Sequence, residues 1–213
     1  MDSPTPNPAT VQWLTWAREI QALCQTGCAF SKIEYDLKRY KRMMEIAAEI
    51  VAAHSSLQRD DLVQNFLCQP GYATPKIDVR GAVVREGKIL LVQERVDQHW
   101  CMPGGWADVG DIPSEMVARE VMEESGFRVK PHKVIGVYDA NRIGAPLEFY
   151  HAFKIVFLCD ILDGEPRPSD ETIDVRFFPF DELPPLSSPR TDPRHLSEVQ
   201  EHLKDPSRDA AFD

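Results

Sequence analysis

Positive charge is in short supply: the 213-residue chain sets 24 Lys and Arg against 34 Asp and Glu, a formal net charge of −10. Phosphate backbones are held by surplus cations that displace counterions, so this balance argues against a general nucleic-acid binder. Any anionic substrate would need a metal or a few focused Arg residues to offset the field of the chain. Paired cysteines are lacking too. The five, at 24, 28, 68, 101 and 159, include no C-x-x-C and form an odd set, as expected of reduced, mostly buried thiols rather than a secreted disulfide framework. No apolar stretch approaches the roughly 20 residues that span a bilayer. The first twenty residues also have no basic start followed by an apolar run. The expectation is a cytoplasmic protein without a membrane partner. At 43% hydrophobic and 27% charged residues, the composition is that of a folded globular chain with ample length for a core.

Residues 1 to 10 are Pro-rich and polar. In VQWLTWAREIQALCQTG the apolar Trp13, Trp16, Ala17, Ile20 and Cys24 recur at helical spacing, and Gly27 is the expected stop. SKIEYDLKRYKRMMEIAAEIVAAHS follows, with Ser31 and Glu34 as a capping box and Phe30 and Tyr35 as the matching staple. DLVQNFL predicts a third, short helix before Pro70 and Gly71. After PGYATP the pattern changes to β-rich runs: KIDVRGAVV, KILLVQE, VIGVYD, LEFYHAFKIVFLCD and VRFF. Helices are expected over 114–125 and in DPRHLSEVQEHLKD, the latter with Asp192 as cap and Pro193 at its first position. So few helices between these strands favour a mixed sheet over a doubly wound parallel one. The expected organisation is a helical domain over 1–71, acting in dimerisation or as a substrate lid, and a second domain over 72–213.

One stretch needs a special reason. AREVMEESGF puts Glu120, Glu123 and Glu124 within one helical turn, where like charges repel by about 0.2 to 0.5 kcal/mol per pair. A divalent cation would repay that repulsion. Val117, Val121 and Ser125, with Ala118 and Met122 beside them, supply a separate face for packing on the sheet. Arg119 lies four residues from both Glu115 and Glu123 and can steady both, and Gly126 ends the helix with Phe127 packing back on its last turn.

The segment GWADVGDIPSEMVAREVMEESGF resembles the Nudix box. Gly105, Arg119, Glu120, Val121, Glu123, Glu124, Gly126 and Phe127 match it, and WCMPGG resembles the strand and loop that lead into it. Asp111 stands where the pattern has Glu; it has a shorter reach toward Arg119 and can cap the helix instead. The resemblance implies an α+β fold: a Nudix-type α/β/α sandwich with a mixed β-sheet, preceded by a small N-terminal helical domain. It also implies a hydrolase of a nucleoside diphosphate linked to another moiety, using Mg²⁺ or Mn²⁺. Carried over residue by residue, Glu120 and Glu124 bind the metal, Glu123 binds it or orients water, the Gly104 carbonyl adds a ligand, and Arg119 orients carboxylates. DETIDVRFFPFDELP resembles the late strand of the family, and points to Glu171 as a further ligand or general base. Arg80 and Arg95 are the candidates to clamp phosphates bidentately. YATPKIDVRG, LPPLSSPR and the helical extension resemble a subgroup that includes CDP-choline and ADP-ribose pyrophosphatases.

Plainer readings stand beside these. Glu171 could be an exposed acid before a strand, Arg80 and Arg95 surface ion pairs, and Cys101 a buried spectator thiol. Tyr150 and His151 could line a pocket or simply alternate between core and surface, and the run KRYKR reads as a solvated helix face. A different class of function is a non-catalytic nucleotide sensor, although regulators of that sort tend to lose box carboxylates and all three are present here. The apolar face of residues 13 to 24 predicts a homodimer.

Overall fold

The computed structural model describes residues 12–68, 71–108, 110–140 and 151–213. They fall into two compact units, one with the described residues up to Pro75 and His151, the other with the remainder from Lys76 onward.

The first unit is α1 (Gln12–Phe30), α2 (Glu34–His54) and α3 (Arg59–Leu67). Its core is Leu14, Ala17 and Cys24 from α1, Met44, Ala47, Ala48 and Val51 from α2, and Leu62 and Phe66 from α3. Gly27 does not stop α1. A Cβ there would lie 2.5 Å from the Tyr40 ring, so this glycine provides the clearance at which α1 and α2 pack. The capping box is also corrected: Ile33 is the N-cap of α2 and no side chain caps it, while Ser31 accepts the Ile33 amide at 3.2 Å. Phe30 and Tyr35 are both exposed and form no staple. The apolar face of α1 is divided. Leu14, Ala17 and Cys24 turn inward, whereas Trp16, Leu23 and Phe30, spaced by seven residues, stay 55%, 62% and 59% exposed.

The second unit holds β1 (Lys76–Arg85), β2 (Lys88–Glu94), β3 (Trp100–Cys101), α4 (Pro113–Ser125), β4 (Phe127–Asp139), β5 (Ala152–Gly164), β6 (Thr172–Pro179), α5 (Pro193–Lys204) and β7 (Ala211–Phe212). The sheet order is β3-β2-β1-β5-β4-β7 with β6 on β2, and it is mixed: β1 runs parallel to β5 and β4 to β7, the other pairs antiparallel. Alternation of side chains explains the layers. Val79 and Val83 of β1 and Leu90 and Val92 of β2 meet Met116, Val117 and Val121 of α4. Ala82, Ile89 and Leu91 face the other way, onto Leu196 and Val199 of α5. With both faces covered, the strands read as continuous apolar runs. Gly81 lets α4 approach, since a Cβ there would sit 2.4 Å from Val121 Cγ2. The α5 start follows expectation: Asp192 accepts the Arg194 amide at 2.9 Å, and Pro193 opens the helix.

Candidate active site

The site begins where two strands part. β1 pairs with β2 only at Val84 and Arg85; below that point residues 103 to 107 take the place of β2 along β1. The Gly81 amide donates to Pro103 O at 2.8 Å, Val79 N–H to Gly105 O at 2.9 Å, and Ala107 N–H to Ile77 O at 2.9 Å. At this close approach Gly104 takes φ +146°, a conformation L side chains rarely adopt, and a Cβ on it would lie 2.0 Å from Val79 O. The loop is thereby an integral part of the sheet.

The C-terminal half of α4 meets this loop. Glu124, on a face expected to differ from the packing face of Val121 and Ser125, is buried alongside them at 6% exposure. Its burial is offset by the Gly104 amide, which donates to Oε2 at 2.9 Å. Burial pushes its carboxyl up to about 7, the charges of Glu94 and Glu120 adding and Arg80 and the Gly104 amide opposing. Glu120 lies against Gly105, where a Cβ would come within 3.0 Å of Oε2. Its carboxyl is also raised, by burial first and by Glu123 and Glu171, against the pull of Arg119 and Arg80. Glu123 is exposed. Gly126 closes the helix with φ +80°, its amide donating to Met122 O at 3.0 Å.

Arg119 gathers three acids, with nitrogens 2.9 Å from Glu120, 3.4 Å from Glu123 and 3.2 Å from Asp111. Asp111, the short replacement for Glu, therefore does reach Arg119. It does not cap α4, whose N-cap is Ile112 without a side-chain bond, and it accepts the Asp108 amide at 3.1 Å instead. Among the described residues Asp111 takes the place expected of Glu115 as the second partner of Arg119.

Both candidate phosphate clamps are spent on the protein itself. Arg80 is buried in the gap between the parting strands, its Nε 3.0 Å from Asp78 and its Nη1 3.2 Å from Met102 O. Arg95 turns its guanidinium onto the carbonyls of the 169–172 loop. Glu171 is exposed on that loop, near enough for its charge to act on Glu120. Three residues around the site had no signal in spacing alone. Thr172 donates its hydroxyl to Glu124 O at 3.0 Å, while Asp78 binds Arg80 on one oxygen and Lys154 on the other at 2.8 Å. Lys154, 1% exposed, also donates to the carbonyls of Pro189 and Arg190. Cys101 is a buried thiol donating to Glu94 at 3.2 Å, with its pKa pushed well up by burial. Tyr150 and most of the segment DANRIGAPLEF, a candidate pocket loop, lie outside the described residues.

Among the described residues no three His, Cys, Asp or Glu side chains already close on a common point. What α4 and the glycine loop offer is a set of oxygen donors, carboxylate and carbonyl, of the kind hard divalent cations accept.

Comparison with known proteins agrees with this architecture. Residues 75–199 match the NUDIX domain, and residues 11–66 the UDP-X-like, N-terminal oligomerisation domain. Over 202 residues, 95% of this chain and 97% of the relative, the sequence is 41% identical to the Bacillus subtilis protein named "Putative ADP-ribose pyrophosphatase YjhB". A crystal structure of an ADP-ribose pyrophosphatase from Streptococcus suis 89-1591 has a TM-score of 0.60 at 36% identity, covering 66% of this chain and 100% of that one. A crystal structure of a UDP-X diphosphatase has a TM-score of 0.62 at 30% identity, covering 94% and 98%. The chain therefore belongs to the Nudix family and is a Nudix pyrophosphohydrolase. No helix among its described residues is long and apolar enough to cross a membrane.

Proposed function

We propose that the chain hydrolyses a nucleoside diphosphate linked to a second moiety, of the ADP-ribose, CDP-choline or nucleotide-sugar kind, with Mg²⁺ or Mn²⁺ at the box. The observation that carries the metal site is the meeting of two raised carboxylates at one glycine loop, Glu124 on the Gly104 amide and Glu120 against Gly105. Removed from water beside one another, both carboxylates gain from a shared cation. In this reading Glu120 and Glu124, with the Gly104 carbonyl, hold the cation, and Glu123 holds it or orients water from its exposed position. When bound, the cation neutralises the diphosphate, polarises phosphorus and lowers the pKa of an attacking water. Arg119 keeps Glu120 and Glu123 aligned, and Glu171 accepts the proton of the water. The similarity to an ADP-ribose pyrophosphatase and to a UDP-X diphosphatase supports the substrate class.

The test is orthophosphate release when full-length protein, Mg²⁺ and alkaline phosphatase meet ADP-ribose, CDP-choline, UDP-glucose, dinucleoside polyphosphates and dNTPs. The expected result is turnover of a diphosphate conjugate that stops with chelator and returns with Mn²⁺. Tight nucleotide binding without turnover of any compound would replace this reading with the sensor.

We further propose that the helical unit makes a homodimer through Trp16, Leu23 and Phe30. Residues seven apart share one helix face, and this one leaves three large apolar side chains in water. The match to an oligomerisation domain supports the assignment. In light scattering the parent should have twice the chain mass, and Trp16→Lys with Leu23→Lys should have the single mass. An unchanged mass in the double variant would remove this face from the interface.

A further inference from the structure

Glu171 is exposed, yet the loop that carries it is tied down on two sides. On one side every carbonyl from 169 to 172 meets Arg95: Nε donates to Asp170 O at 2.8 Å, Nη2 to Ser169 O at 3.4 Å and Thr172 O at 3.5 Å, and the backbone amide of Arg95 to Glu171 O at 2.9 Å. On the other side Thr172 is fully buried; its hydroxyl donates to Glu124 O at 3.0 Å and accepts the Ser169 amide at 2.9 Å. The four residues therefore bridge the end of β2 and the last turn of α4. An Arg beside Asp170 and Glu171 would ordinarily pair with a carboxylate. Here the guanidinium fork is spread over backbone oxygens, which leaves the Glu171 carboxylate free of it.

We propose that Arg95 is a positioning residue for the hydrolytic reaction: it holds the backbone of 169–172 so that Glu171 faces the carboxylates of α4. The inference rests on the assignment of Glu171 above. Its physical basis is that a general base misplaced by about 1 Å can lose on the order of 10²-fold in rate. Arg95 fixes the carbonyls on one side of the loop and Thr172 anchors the other side to α4, so the acid between them keeps that tolerance only while both ties hold.

The test is a double-mutant cycle in the full-length protein. Arg95→Met, Glu171→Gln and the combination are compared by kcat and KM with Mg²⁺, on whichever of ADP-ribose, CDP-choline and UDP-glucose the parent cleaves fastest. Amide exchange at 169–172 is followed alongside. Arg95→Met should lower kcat by roughly 10- to 100-fold with KM within about twofold of the parent, and cost under about twofold more once Glu171 is already Gln. Exchange at 169–172 should quicken while α4 stays protected. Arg95→Lys should not restore the rate, because a single ammonium cannot span the separated carbonyls. If Arg95→Met fails to fold, Arg95→Lys takes its place in the cycle. Losses that multiply, or a rise in KM in both backgrounds, would overturn the proposal and make Arg95 an independent contact to substrate. A silent Glu171→Gln would overturn the Glu171 assignment together with it, whereas a damaged Glu171→Gln with multiplying losses overturns the role of Arg95 alone.

Discussion

Glu124→Gln lowers kcat by on the order of 10²- to 10³-fold, and Glu120→Gln does the same, because each removes one negative charge from the pair that holds the cation. The fold should survive both changes. A glutamine oxygen at 124 still accepts the Gly104 amide, which sits 2.9 Å from the carboxylate, and at 120 it still meets Arg119. Metal-free stability separates this from unfolding, and the sign follows from linkage. The Glu124 carboxyl is raised from 4.5 to about 7, so what it contributes to folding is fully present below pH 4.5 and is lost as pH rises through 7. At pH 8 in chelator the parent carries an ionised, buried carboxylate, and Glu124→Gln should melt at or above it, by at most about 3 kcal/mol. Near-parental rates for either variant at saturating Mg²⁺ would remove that residue from the ligand set.

Gly104→Ala should cost several kcal/mol of stability, a large share of the roughly 5–15 kcal/mol of a typical domain. Two terms add. The backbone holds φ +146°, which costs a non-glycine residue about 1–3 kcal/mol, and the new methyl would overlap Val79 O at 2.0 Å, an overpacking penalty of about 1–3 kcal/mol or more. Neither can relax, because backbone bonds to β1 fix the loop on both sides of Gly104. Gly105→Ala is the contrasting change. Its methyl first meets the end of the Glu120 side chain, 3.0 Å away, so the chain should keep its melting temperature and lose turnover as that carboxylate is displaced. Thermal melts and kcat for the two variants check both statements. A parental melt for Gly104→Ala would mean that the loop is not pinned as described.

The parts of the fold legible in the sequence were those set by local rules. The β-rich runs KIDVRGAVV and KILLVQE, the Asp192-Pro193 helix start and the left-handed Gly126 all appear where the residues put them. The spacing of Glu120, Glu123 and Glu124 marked the helix that meets the glycine loop. What spacing could not supply was the surroundings of each charge. Gly27 looked like a stop because a stop and a packing clearance use the same residue, and only the Tyr40 ring across the helix pair distinguishes them. Arg80 and Arg95 looked alike as phosphate clamps, since a cation in a strand says nothing about which acceptors fold onto it. The two-residue strands β3 and β7 are too short to carry any periodicity.

One feature of the core bears on how the sheet finds its alignment. Asp78 of β1 and Lys154 of β5 are direct neighbours in the parallel ladder, and Arg80 follows two residues later on the same side. A slip of one residue between these strands would carry Asp78 and Arg80 into the hydrocarbon beneath α4, and leave Lys154 opposite Ile77 or Val79. Misaligned pairings of the two apolar runs, otherwise close in energy, thus lose an ion pair that cannot re-form elsewhere. The buried charges make the correct alignment of β1 on β5 the one the chain can keep.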